Sequence, residues 1–95
     1  MAHYPLTDVQ ALVKEGSVKA TKTALAGGAA LGFDFEGVKE AISNLETGDL
    51  HKSMTSHADH KIWQDVYHFP SEDALEIYLK LSVIDDVLIV SFKEK

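Results

Sequence analysis

The sequence predicts an α+β protein, with N-terminal helices packed on one face of a C-terminal antiparallel sheet. Three observations carry that prediction. Apolar residues in the first half recur three and four positions apart, the spacing of a helix face. Those in the second half alternate with polar residues, the spacing of a strand with one buried side. The helical patterns precede the strand patterns instead of interleaving with them, an order that gathers helices on one side of an antiparallel sheet. Ninety-five residues are enough for one modest core, so a single domain over 1–95 is expected.

The first helix has its apolar face at Leu6, Val9, Leu12 and Val13. Thr7 reads as its N-cap, with Gln10 completing a capping box, and Gly16 as its stop. A second helix begins near Thr21 and runs through Ala24 and Leu25 to Leu31. Gly27 and Gly28 weaken it by about 1 kcal/mol each relative to Ala, and Gly32 can end it. Asp34 reads as the N-cap of a third helix with Phe35, Val38, Ile42 and Leu45 on its apolar side. Gly48 closes that region.

The strand patterns follow. A short one covers 50–56. "IWQDVYHF" (62–69) is rich in β-branched and aromatic residues. Its alternation places Gln64 and His68 on one side and Trp63, Asp65 and Tyr67 on the other. Trp63 is expected to pack against the helices. Pro70 and Ser71-Glu72-Asp73 form a loop. In "LEIYLKLSVI" (75–84), Leu75, Ile77, Leu79, Leu81 and Val83 point one way, and Glu76, Tyr78, Lys80 and Ser82 the other. "VLIVSFK" (87–93) comes after only Asp85-Asp86, a tight-hairpin signal. With those two residues as the loop, Ile84 faces Val87, Lys80 faces Ser91 and Tyr78 faces Lys93. Cross-strand partners have Cβ atoms roughly 5 Å apart. A phenol, two ammonium groups and a hydroxyl therefore share the side of the hairpin away from the Leu/Ile stripe.

Charge narrows the function. Nine Lys stand against fifteen acids, Arg is absent and the net charge is −6. Residues 34–49 hold five acids and one Lys, and residues 50–95 eight acids and five Lys. A broad phosphate-binding surface is excluded, so any nucleic-acid contact is local and made by a few Lys. Cys is absent, which removes disulfides and thiolate metal sites and fits a cytoplasmic protein. "MAHYPLTDVQ" lacks the basic start and apolar stretch of a signal peptide, and no apolar run is long enough to span a membrane.

Lys52, Lys80 and Lys93, with Tyr78 and Gln64, suit a phosphodiester: Lys brings point charge, Tyr stacks or exchanges a proton, and Gln reads a base edge. The plainer alternative is the wet side that most antiparallel sheets have. His51, His57, His60 and Asp59 are loosely spaced for a metal, so none is assigned, and no cofactor is expected. His60 is a candidate proton carrier. No Ser sits in a nucleophile motif, and "AGGAALG" lacks the preceding strand of a phosphate-binding loop.

Two blocks, "KSMTSHADHKIWQDVY" (52–67) and "YLKLSVIDDVLIVSFKEK" (78–95), resemble the MqsR family, the motility quorum-sensing regulator toxins. "VKEGSVKATKTALAGGAALGFDFEGV" (13–38) resembles the helical part of that family, so the likeness covers nearly the whole chain. It implies a RelE/YoeB-like fold. It also implies a metal-independent mRNA endoribonuclease, the toxin of a type II toxin–antitoxin pair. The implied partners are single-stranded mRNA and a cognate zinc-binding, helix-turn-helix antitoxin like MqsA. The catalytic residues it implies fall on Lys52, Gln64, Tyr78 and Lys93, and His51, Met54, His60 and Lys80 are further candidates for RNA contact. The implied reaction is attack of a ribose 2′-hydroxyl on phosphorus, giving a cyclic phosphate and a free 5′-hydroxyl. A second reading comes from the acidic balance: a protein of this fold that binds an antitoxin or transcriptional regulator with little or no cutting.

Overall fold

A computed structural model describes residues 2–95. The order is α1 (Leu6–Glu15), β1 (Val18–Ala20), α2 (Lys22–Ala30), α3 (Phe35–Ser43), a 3₁₀ turn (Thr47–Asp49), β2 (Leu50–Thr55), β3 (Trp63–Pro70), β4 (Glu76–Ile84) and β5 (Asp86–Glu94). The five strands form one sheet in the order β1-β5-β4-β3-β2. β2 to β5 are an antiparallel meander, and β1 adds a parallel edge beside β5. The helices lie on one side. Val9, Val13, Ala24, Val38 and Ile42 from the helices share one core with Tyr67, Ile77, Leu79, Leu81, Val87, Ile89 and Phe92 from the strands. The α+β expectation is met, and β1 is an addition to it. Three residues are too few to show a period.

Helix ends follow local chemistry with one exception. The Thr7–Gln10 capping box does not form. α1 starts two residues earlier, at Leu6 after Pro5, with no side-chain cap. The Gln10 amide instead donates to the carbonyls of Ile42, Ser43 and Leu45 at 3.0–3.2 Å. Those carbonyls lie at and just beyond the C-terminal end of α3, so the amide ties α1 to the end of that helix. Gly16 stops α1 at φ 87°, the left-handed conformation a glycine adopts without steric cost. Asp34 caps α3 as expected, accepting from the Gly37 N–H, and α2 starts just after Thr21, whose hydroxyl accepts from the Ala24 N–H.

Gly27 has a packing reason. α2 lies directly on β5, and a Cβ at Gly27 would come within 2.0 Å of the Phe92 carbonyl oxygen. The helix sacrifices propensity to bring its backbone against the sheet.

The hairpin turn differs from the expected one. Asp85 alone forms the tip, at φ 65°, and Ile84 pairs with Asp86, Val83 with Val87 and Leu81 with Ile89. The register then slips by one between Lys80 and Leu81, so Lys80 still pairs with Ser91 and Tyr78 with Lys93. Val90 is the extra residue, a β-bulge. The two site pairs were foreseen correctly, but the pairs near the tip were not.

Tyr67 is fully buried in the core. Among the described residues its hydroxyl has no hydrogen-bond partner. Burial, with Asp65 and Asp49 nearby, pushes its phenol up to about 12.

Two outcomes are expected. Gly27→Ala should lower stability by about 2 kcal/mol despite the better helix propensity, as overpacked cores do; an unchanged urea midpoint would show that α2 can lift off β5. Because the fold holds Tyr67 neutral, its contribution is complete below pH 10.0, the ordinary value, and is lost as pH rises through about 12. Ultraviolet titration should show one of the three tyrosines ionising in that window as the fold gives way, and Tyr67→Phe should remove the step.

Candidate active site

The side of the sheet away from the helices carries the candidate residues. Strand parity places them there. β3 turns Asp65 and Tyr67 toward the helices and Gln64, Val66 and His68 away. β4 presents Tyr78 and Lys80, and β5, after its bulge, presents Ser91 and Lys93. β2 presents Lys52 and Met54, opposite Val66 and Gln64. A second register shift, between Leu50 and Lys52, makes His51 the extra residue of β2.

Three rows cross this face. The first is His51–His68–Tyr78–Lys93. The His51 and His68 rings stack at 4.1 Å and 18°. The Tyr78 ring centroid is 5.6 Å from that of His68, and the Lys93 Nζ stands 5.1 Å over the Tyr78 ring. Four strands carry the row, so it runs about 14 Å across the sheet. The second row is Lys52–Val66–Lys80–Ser91, with Val66 fully buried as its floor between two lysines. The third holds Met54 and Gln64.

All four residues of the implied catalytic set therefore share one face. Tyr78 and Lys93 are in contact. Lys52 is one row away, and Gln64 lies four residues along β3 from His68, about 13 Å at strand rise. His51, Met54 and Lys80 are on the same face. His60 stands exposed in the turn between β2 and β3. Asp59 braces that turn by accepting from the Lys61 N–H at 2.9 Å. No group of three or more His, Asp or Glu among the described residues is arranged to hold a metal.

The electrostatics of the face are its own. Among the described residues the ion pairs are Lys19–Asp86 and Lys39–Glu36, which leaves Lys52, Lys80 and Lys93 without a carboxylate partner. The acids collect elsewhere: Glu40, Glu46, Asp49, Glu72 and Asp73 line a cavity of about 650 Å³ beside α3 and the β3–β4 turn. His68 is held below the usual imidazole value, first by burial, then by His51, with Lys95 and Lys52 adding and Glu76 opposing.

Two sequence readings need revision. Trp63 does not pack against the helices. It is 37% exposed and stacks on His3 at 4.7 Å and 8°, while the Tyr4 hydroxyl donates to its carbonyl. Asp65 holds this N-terminal arm in place. Fully buried, it accepts from the N–H groups of His3 and Tyr4 at 3.1 and 2.9 Å and from the Ser53 hydroxyl at 2.5 Å. That one carboxylate joins the arm, β2 and β3. His68, not among the candidate residues, lies between His51 and Tyr78 on the same face. Strand parity had put it on the right side, but its place beside Tyr78 depends on the β3–β4 register.

The structure defines a small α+β protein whose open sheet face carries three lysines and a row of rings. The chain matches, over residues 1–94, the family described as "Motility quorum-sensing regulator, toxin of MqsA", and it belongs to that family. It is 50% identical over 93 residues to the mRNA interferase toxin MqsR of Escherichia coli (strain K12), covering 98% of this chain and 94% of that protein.

Asp65→Ala should destabilise the protein by about 3 kcal/mol, since it removes three hydrogen bonds to a fully buried carboxylate. The urea midpoint measures this. A loss under 1 kcal/mol would mean that the arm and β2 do not depend on the carboxylate.

Proposed function

We propose that this protein is an mRNA interferase, the toxin of a toxin–antitoxin pair, and that it cuts single-stranded RNA on the open sheet face without a metal. The family and the relative named mRNA interferase toxin support the activity. The observation that carries its placement is the set of unpaired Lys52, Lys80 and Lys93 around stacked rings, in a chain whose net charge is −6.

The reaction proceeds by attack of a ribose 2′-hydroxyl on the adjacent phosphorus. It needs a proton acceptor, a proton donor and cationic support for the charge that builds on the phosphate. Lys52 and Lys93 provide that support. Tyr78 delivers a proton or stacks on a base, and Gln64 orients a nucleotide one or two positions along. His51, Met54 and Lys80 extend the contact. His60 lies in the outer turn and plays at most a binding role. The partner is an antitoxin, and we assign it the chemistry of the MqsA type, zinc-binding with a helix-turn-helix. The place of action is the cytoplasm, where mRNA is. No described helix is long and apolar enough to cross a membrane.

Purified protein in EDTA and low salt should cut a long single-stranded RNA, leaving cyclic-phosphate and 5′-hydroxyl ends. Lys93→Ala should reduce the rate by 10²–10³-fold, the usual cost of removing one transition-state donor, with its melting curve unchanged. Retained cutting by a folded Lys93→Ala protein would remove Lys93 from the mechanism. Three lysine–phosphate contacts set a slope of about −2 in log affinity against log salt, and Lys80→Ala should make it shallower by about 0.7.

A further inference from the structure

We propose that His68 is the catalytic base of this cleavage, accepting the proton of the attacking ribose 2′-hydroxyl. The inference rests on the interferase reading and assigns the step that the reading leaves open.

The geometry points to His68 from several sides. It occupies the interior of the first row, its ring stacked on His51 at 4.1 Å and its other neighbour Tyr78 at 5.6 Å. No described protein group is hydrogen-bonded to its ring nitrogens, so they are open to a substrate hydroxyl. An ammonium group suits phosphate charge, whereas imidazole is the side chain whose charge change falls near neutrality. His60 is outside the face, and His51 sits at the edge strand, exposed.

The surroundings favour the form a base requires. His51 and Lys52 face it from β2, Tyr78 and Glu76 from β4, and Lys93 and Lys95 from β5 and the C-terminus. Burial and the cationic neighbours lower its pKa, with Glu76 alone opposing. The imidazole is therefore neutral at pH 7 and able to take a proton.

The step balances. The 2′-oxygen bonds to phosphorus as its proton passes to His68, and the bond from phosphorus to the 5′-oxygen breaks. The Tyr78 hydroxyl gives its proton to that leaving oxygen. The imidazolium then returns its proton to the Tyr78 oxygen, restoring both groups. The products are a 2′,3′-cyclic phosphate and a 5′-hydroxyl.

The test is the pH dependence of kcat/KM between pH 5 and 9 on a single-stranded RNA oligonucleotide in EDTA, for the parent, His68→Gln, His68→Asn, His51→Phe and Lys93→Ala. The parent should rise with pH to a plateau, with its midpoint below 6.5. The proton NMR titration of the His68 ring should have the same midpoint. Both His68 variants should lose 10²–10⁴-fold on the plateau and lose the acid limb, with melting curves like the parent's. His51→Phe keeps a ring in the stack and removes a repelling charge, so it should retain the limb with its midpoint moved up. An acid limb surviving in the folded His68 variants, or an NMR midpoint away from the kinetic one, overturns the inference. If Lys93→Ala is dead while the His68 variants cut normally, His68 fails and the interferase reading stands. A parent that binds RNA without cutting it, with or without ribosomes, overturns both.

Discussion

The structure turns on one residue inserted in β5. Val90 is unpaired, and its carbonyl accepts from the Thr21 hydroxyl at 3.0 Å, while the Thr21 N–H donates to the Ile89 carbonyl at 3.0 Å. Thr21 also caps α2, so the irregularity is tied to the start of the helix that packs on it. A strand has a side-chain period of two, and one extra residue reverses which side the rest face. Val87 and Ile89 point into the core ahead of the bulge, and Phe92 points into it beyond. Without the bulge, Phe92 would face solvent and Lys93 would be driven into the core. The core therefore ends in an aromatic ring, and the next side chain is a cation on the open face.

The same arrangement resolves the conflict between an acidic chain and an anionic substrate. Net charge describes a whole molecule, but a phosphate within a Debye length, about 8–10 Å, feels the charges of one face. Here that face has Lys52, Lys80 and Lys93, with Glu76 at its margin. Five of the fifteen acids ring the cavity by α3 instead. A local cationic site in an acidic protein binds with few phosphate contacts and a shallow salt dependence. Stacked rings beside the lysines then matter more, because base stacking adds affinity that salt does not screen.

How far the sequence could be read depended on the length of each pattern. α3 and β4 were legible because nine residues show a full period and Asp34 is an unambiguous cap. The site pairs Tyr78–Lys93 and Lys80–Ser91 were legible from parity plus a short turn, although the turn is one residue tighter and the bulge restores the register. β1 was not legible at three residues. Nor was the use of Gln10, because the carbonyls it serves lie at and just past the end of a helix more than thirty residues away. Trp63 was misread for the same reason: its partner is His3, and sequence patterns carry no information on which distant segment covers a strand end. His68 shows the boundary most clearly. Its side of the strand was visible, but not its neighbours.

What the site requires of the fold is rigidity across strands. Strand side chains in a paired sheet have fixed spacing, near 4.8 Å between strands and 6.8 Å between alternate residues along one. A row of rings and ammonium groups on such a lattice is set before any ligand arrives, with no loop to order. This suits a reaction that is mainly positioning and charge stabilisation, where the entropy of arranging catalytic groups would otherwise fall on the bound state. The weak point is the edge strand β2, which supplies Lys52 and His51 and has a neighbour on one side only. Asp65 compensates by binding Ser53 of β2 and the N-terminal arm at once. A buried carboxylate on the helix side thus fixes the strand whose other side carries the cation, and the open face inherits its order from a hydrogen-bond cluster it never touches.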